Sequence, residues 1–378
     1  MTQDSEIKTQ KSSSRTSHSR LRSLDVFRGI TVAAMILVND PGDWTHIYPP
    51  LEHSKWNGCT PTDLIFPFFL FIVGVSIVYS MKRKAANPAN HPAMLFSAFR
   101  RGAMLILISL GIQLILHPGF DHLRFPGVLQ RIGVVFFICA VLYIKTSQRT
   151  RDWLFALILI GYYVIMTFMP VPDTGVASLL PQTNMGAWID RTVFSTNHLW
   201  IESHTWDPEG LLGTLPAIAT GLFGIRVGSW LKRKEPDEGV KVSWMFTYGV
   251  LAVVLGLIWD LFFPINKALW TSSFVLYTGG WATIALAFSY WLIDVQGYRG
   301  LTSFFLPFGA NAITAYVLSD FVPHYINKIK IGGSSIYQIL FEPFFTPYNA
   351  SLISAVAITL LIWVLMWILY LRKIIIKV

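Results

Sequence analysis

Apolar residues in this chain gather into blocks about as long as a bilayer is thick. A hydrocarbon core of about 30 Å takes roughly 20 mostly apolar residues in helical form. Reading for such blocks predicts spans at 24–40, 62–81, 98–116, 127–144, 153–170, 211–231, 244–263, 271–293, 301–320 and 350–371. The fold class that follows is all-α: a polytopic integral membrane protein with about ten transmembrane helices, since in lipid a helix satisfies the backbone groups of its own segment. The blocks at 24–40 and 62–81 are the least apolar, with polar residues at their ends. Residues 1–23 are Ser/Thr-rich and basic, without the apolar core of a secretory signal, and predict a disordered cytoplasmic tail. Residues 24–378 form one transmembrane domain, with no internal repeat of the kind common in secondary transporters.

Composition agrees with the blocks. Hydrophobic residues make up 53% of the 378 positions and charged residues 13%, about half the share in soluble domains. An ordinary soluble enzyme is excluded, and so is a disordered chain. Lys plus Arg number 30 against 21 Asp plus Glu, a net charge of +9. Nucleic acid is not the expected partner, because the basic residues lie in short clusters between apolar runs and not on one readable face. With the N-terminal tail inside, 21 basic residues fall on the cytoplasmic side and 6 outside, with Arg28, Arg131 and Arg226 in or beside spans. This asymmetry predicts both termini in the cytoplasm, with membrane lipid as the surroundings of the spans. Cys59 and Cys139 offer no disulfide framework and no metal spacing, and Cys139, inside an apolar run, reads as an inert thiol.

Most of the histidines and six tryptophans, Trp56 and Trp206 among them, fall in the outside loops. The tryptophans form either an interfacial belt or a platform for sugar rings. Ionisable and amide groups in or beside spans mark candidate chemistry. Asp25 and Arg28, three apart at the start of the first span, share a helix face and form an ion pair or contact a ligand. Asn39 ends that span and offers an amide donor. His53 is a general-base candidate, with Trp56 as an indole donor and Thr60 or Thr62 as a cap before Asp63. Pro67 predicts a kink in the second span. Asp207 and Glu209 in Trp206-Asp207-Pro208-Glu209-Gly210 cap a helix or hold a cationic amine. Asn266 and Lys267 join two spans on the same side, while Arg131 and Asn311 add polarity inside the fourth and ninth spans. Such convergence points to a reaction chamber or a permeation path.

Five motifs carry a resemblance. Leu21-Arg22-Ser23-Leu24-Asp25-Val26-Phe27-Arg28-Gly29, the run from His53 to Pro67, Pro126-Gly127-Val128-Leu129-Gln130-Arg131, Asp207-Pro208-Glu209-Gly210 and Asn266-Lys267-Ala268-Leu269-Trp270-Thr271 resemble the heparan-alpha-glucosaminide N-acetyltransferase family. They follow its order and cover nearly the whole chain after the tail; the chain looks like a shorter, bacterial-type member, which implies a place in the bacterial cytoplasmic (inner) membrane. The resemblance implies a multi-pass enzyme with acetyl-CoA as co-substrate and no metal. It acetylates the amine of a glucosamine-type amino sugar on the extracytoplasmic side, with His53 and Asn39 as catalytic residues and a homodimer as the assembly. His53 is expected to act as base or as transient acetyl carrier, and Asn39 and Trp56 as donors to the oxyanion. Asp25, Arg28, Asp63, Arg131, Trp206, Asp207, Glu209, Asn266, Lys267 and Asn311 are expected to bind substrate. Rival readings are a transporter for a sugar or muropeptide and an O-acetyltransferase of a cell-surface glycan.

Overall fold

The computed structural model describes residues 21–300 and 302–376. Residues 1–20 of the expected disordered tail lie outside the described residues, while Arg22 and Ser23 at its end belong to the first helix. The apolar blocks fold as helices: α1 (Arg22–Asn39), α2 (Ile65–Ala85), α3 (His91–Leu116), α4 (Val128–Lys145) and α5 (Gln148–Phe168). A short α6 (Met185–Phe194) precedes α7 (Thr214–Leu231), α8 (Glu238–Asp260) and α9 (Ser272–Tyr290). Then come α10 (Thr302–Ala310), α11 (Ala312–Lys328), the two-residue strands β1 (Lys330–Ile331) and β2 (Ser334–Ser335), α12 (Ile336–Leu340) and α13 (Pro347–Leu371).

The protein is an all-α, multi-pass membrane protein. Among the described residues, six helices are long and apolar enough to cross a membrane, and α10 with α11 makes a seventh if that bent pair is one span. This is fewer than the ten expected, for a physical reason. The blocks that became α1, α7 and α9 are helical but fall outside the six. α7 buries 12 of its 18 residues and α9 13 of its 19, many of them Gly, Ala, Ser or Thr. A helix wrapped by other helices needs close packing more than lipid-matching side chains. α3 shows the opposite case, burying only 6 of 26 residues.

Two other expectations change. The block 301–320 is not one straight span: the chain bends by 83° between α10 and α11, with Pro307 in the last turns of α10 and Asn311 at the break. Pro67 falls in the first turn of α2, where a backbone N–H has no helical partner to lose. It marks the junction with the 3₁₀ turn Pro61–Leu64 instead of kinking a span.

Small residues set the closest approaches. A Cβ on Gly74 of α2 would stand 2.0 Å from the Gly221 carbonyl oxygen of α7, and one on Gly224 would stand 2.1 Å from that of Phe71. Gly74→Leu should therefore lower stability by about 1–3 kcal/mol or more. A thermal-unfolding midpoint in detergent equal to that of the parent protein would contradict this packing.

Side-chain contacts sort the helix ends into two groups. At one end Ser23 N–H donates to Asp294 (3.0 Å), Arg22 to Thr302 (3.0 Å), and Lys232 Nζ to the Tyr79 carbonyl (3.0 Å). These contacts gather the starts of α1 and α10 and the ends of α2, α7 and α9. The opposite ends carry the loops that hold His53, Trp206 and Lys267.

Candidate active site

Asp63 is the fixed point of the site. Its side chain is 0% exposed, at the end of the 3₁₀ turn that leads into α2. Oδ2 accepts from the backbone N–H groups of Ser54 (3.1 Å) and Thr60 (3.0 Å) and from the Thr60 hydroxyl (3.2 Å). Oδ1 lies 2.7 Å from His53 Nδ1. An ionised carboxylate only accepts, so the neutral His53 ring places its proton on Nδ1 and leaves Nε2 as a free base. The His53 side chain is 45% exposed. A buried acid thus orients an accessible imidazole, the arrangement general-base catalysis needs.

Lys267 reaches the same ring from the turn between α8 and α9. Its Nζ lies 3.0 Å from His53 Nδ1 and 3.1 Å from Nε2, and 3.7 Å from Asp63. The lone pairs of the two ring nitrogens diverge, so an amine nearly equidistant from both faces the ring and does not sit in its plane. The Lys267 side chain is 19% exposed. Burial lowers its pKa, while the Asp63 charge pulls the other way.

The turn carrying Lys267 is held on several sides. Asn266 Oδ1 accepts from Leu269 N–H (2.8 Å), its Nδ2 donates to Asn57 (3.1 Å), and Gly58 N–H donates to the Ile265 carbonyl (2.7 Å). Trp270 is 0% exposed with φ 54°, a left-handed conformation that costs a bulky residue about 1–3 kcal/mol. Its indole N–H donates to Thr220 (3.1 Å), and the Arg131 guanidinium lies 5.1 Å from its ring. Arg131 also donates to the Gly210 carbonyl (2.8 Å), supporting the site from behind.

Trp56, three residues after His53, belongs to an aromatic cluster. Trp56 and Trp206 meet edge to face at 5.0 Å, and Trp206 meets Trp200 at 5.4 Å. The Trp56 indole N–H donates to the Leu179 carbonyl (3.1 Å), so it is not the free oxyanion donor expected from sequence. Cys59 is no rival nucleophile: burial, then the Asp63 charge, push its thiol up to about 12.

Asp207 and Glu209 differ most from their expected role. Arg124 donates to both oxygens of Asp207 (2.8 and 2.6 Å) and to Glu209 (2.5 Å). Burial alone would lower the Arg124 pKa, but the two carboxylates outweigh it and raise it. One arginine thus engages both carboxylates; the trio keeps a net charge of −1, but both oxygens of Asp207 and one of Glu209 are already taken up and not open to an amine. Asp190 of α6, which sequence reading missed, accepts from Leu211 N–H (2.8 Å), and burial, aided by the Asp207 charge, pushes it up to about 7.

Four expected site residues lie outside this hydrogen-bonded cluster. Arg28 donates to Asp25 (3.1 Å), to the Gly309 carbonyl (3.2 Å) and to Ser76 (2.9 Å), tying α1 to α2 and α10. Asn311 exchanges hydrogen bonds with the backbone of Ile374 (3.1 Å) and Ile376 (3.0 Å). Asn39 is exposed at the last residue of α1, and no described hydrogen bond joins it to His53.

Residues 20–257 match the family model described as "Heparan-alpha-glucosaminide N-acetyltransferase, catalytic". The chain belongs to this family. Heparan-alpha-glucosaminide N-acetyltransferase of Homo sapiens is 33% identical over 361 residues, covering 81% of this chain and 53% of the human protein. The Mus musculus protein of the same name is 32% identical over 366 residues, covering 82% and 55%. The chain spans about half the length of these curated relatives. Within this N-acetyltransferase family, the matched segment holds the His53–Asp63 pair and the Arg124 clamp. The turn that carries Lys267 follows it in sequence.

Proposed function

We propose that the protein transfers the acetyl group of acetyl-CoA to the amine of a glucosamine-type sugar on the extracytoplasmic side of the membrane. The observation that carries the reading is the His53 imidazole, oriented through Nδ1 by buried Asp63 and partly exposed, in the same loop as Trp56 of the tryptophan cluster. The apolar face of a sugar ring stacks on the indoles of Trp206 and Trp56, which brings its amine to His53.

In this mechanism Nε2 takes a proton from the amino group, and the amine attacks the thioester carbonyl. The negative charge that develops on the carbonyl oxygen is met by the Lys267 ammonium, which takes the donor role that Asn39 and Trp56 were expected to fill. Such donors contribute about 3–4 kcal/mol in transition-state stabilisation. Collapse expels the CoA thiolate, which recovers a proton from His53. If the basic helix ends face the cytoplasm, as the positive-inside rule requires, acetyl-CoA approaches from that side and its acetyl group is delivered to the far one.

The test is purified protein in nanodiscs with acetyl-CoA and glucosamine, read by mass detection of N-acetylglucosamine. Product is expected with the native chain and not with His53→Ala. Sugar flux into liposomes without acetyl-CoA, undiminished by that substitution, would instead identify a transporter.

A further inference from the structure

Lys267 presents a primary amine, the same chemical group as the proposed acceptor, within 3.0 and 3.1 Å of the two His53 ring nitrogens. An acetyl carbon placed for attack by an amine that has given its proton to Nε2 must also lie close to Lys267 Nζ. Protonated, Lys267 is a hydrogen-bond donor without a lone pair; deprotonated, it is a nucleophile. Asp63, 3.7 Å away, favours the charged form, while the 19% exposure of the side chain works against it. Among the described residues, the side-chain partners of Lys267 are His53 and Asp63.

We propose that Lys267 is an internal acetyl acceptor, modified by the acetyl thioester when no amino sugar occupies the site, and that its acetylation inactivates the protein. In this step the ammonium first gives a proton to water, since Nζ faces the ring and is not in line with the Nε2 lone pair. The free Nζ then attacks the thioester carbonyl, a C–N bond forms and the C–S bond breaks. The thiolate leaves and takes a proton from water, while the second proton of the attacking amine passes to water. The products are an amide on Lys267, a free thiol and one released proton. An amide carries no positive charge, so the donor proposed for the oxyanion is lost with it. The inference rests on the acetyl-transfer reading above and adds a regulatory consequence: a bound sugar protects its own enzyme.

The test incubates the protein in nanodiscs with acetyl-CoA alone, digests it and quantifies acetylation at each lysine by mass spectrometry. The expected result is at most one acetyl group per chain at Lys267, well ahead of exposed Lys55 and Lys330. The rate should rise with pH as the amine loses its proton, and saturating glucosamine should slow it by about tenfold or more. Residual transferase activity should fall in proportion to the modified fraction. If N-acetylglucosamine forms when sugar is present but Lys267 stays unmodified without it, the proposal is overturned and the transferase reading stands. If acetyl-CoA acetylates neither, the protein is treated with S-acetyl-N-acetylcysteamine. Selective labelling of Lys267 by that small thioester would support the internal acceptor with the acetyl-CoA reading rejected, and labelling no faster than at Lys55 would overturn it.

Discussion

Replacing His53 by alanine is expected to lower the acetyl-transfer rate by about 10²–10⁴-fold, the range a positioned general base supplies. The loss should fall on kcat, with a smaller change in the KM for sugar, because the Trp56–Trp206–Trp200 wall does not depend on the imidazole. Stability should change little: the ring is 45% exposed, and Asp63 keeps the three donors of Ser54 and Thr60. A thermal midpoint near that of the parent protein would show that the lost activity is chemical. A His53→Ala protein within about threefold of the parent rate would remove His53 from the mechanism.

The difference between what sequence and structure reveal about this site follows contact distance along the chain. His53 and Asp63 are ten residues apart in one polar stretch, so their proximity can be read from the sequence. Their connection through a short 3₁₀ turn, and the protonation pattern it imposes, require coordinates. Lys267 meets His53 across 214 residues, and its relevance in sequence comes only from belonging to a polar motif between two apolar blocks. Arg124 stands in a loop between two apolar blocks, and its partners lie 83 and 85 residues away, so no local pattern announces that Asp207 and Glu209 are already paired. Helix positions were legible because apolar blocks are continuous. The bend at Asn311 was not, since one polar residue within an apolar block does not announce a break, and the 83° turn goes with the close packing of α10 on α1. A Cβ on Gly309 would lie 2.0 Å from the Asp25 carbonyl oxygen, an approach that no composition count registers.

Asp63→Asn should be about as damaging as loss of the base itself, although it removes no atom from His53. An amide has one acceptor oxygen and a donor NH₂ group. The backbone N–H groups of Ser54 and Thr60 still need an acceptor, so the amide oxygen turns toward them and its NH₂ faces His53 Nδ1. That nitrogen must then accept, which moves the imidazole proton to Nε2, where the reaction needs a lone pair. A carboxylate-to-amide change of this kind beside a catalytic histidine has cost about 10⁴-fold in kcat where the geometry was preserved, and a similar loss is expected here. Lys267 also loses its nearest negative partner, 3.7 Å away. Without that charge its amine is more easily deprotonated, so the variant should acetylate Lys267 at lower pH than the parent while acetylating sugar poorly. Parallel measurement of N-acetylglucosamine formation and of acetyl incorporation at Lys267 across a pH series separates these effects. A variant that retains the parent rate and an unchanged pH profile would show that Asp63 serves only to build the turn before α2.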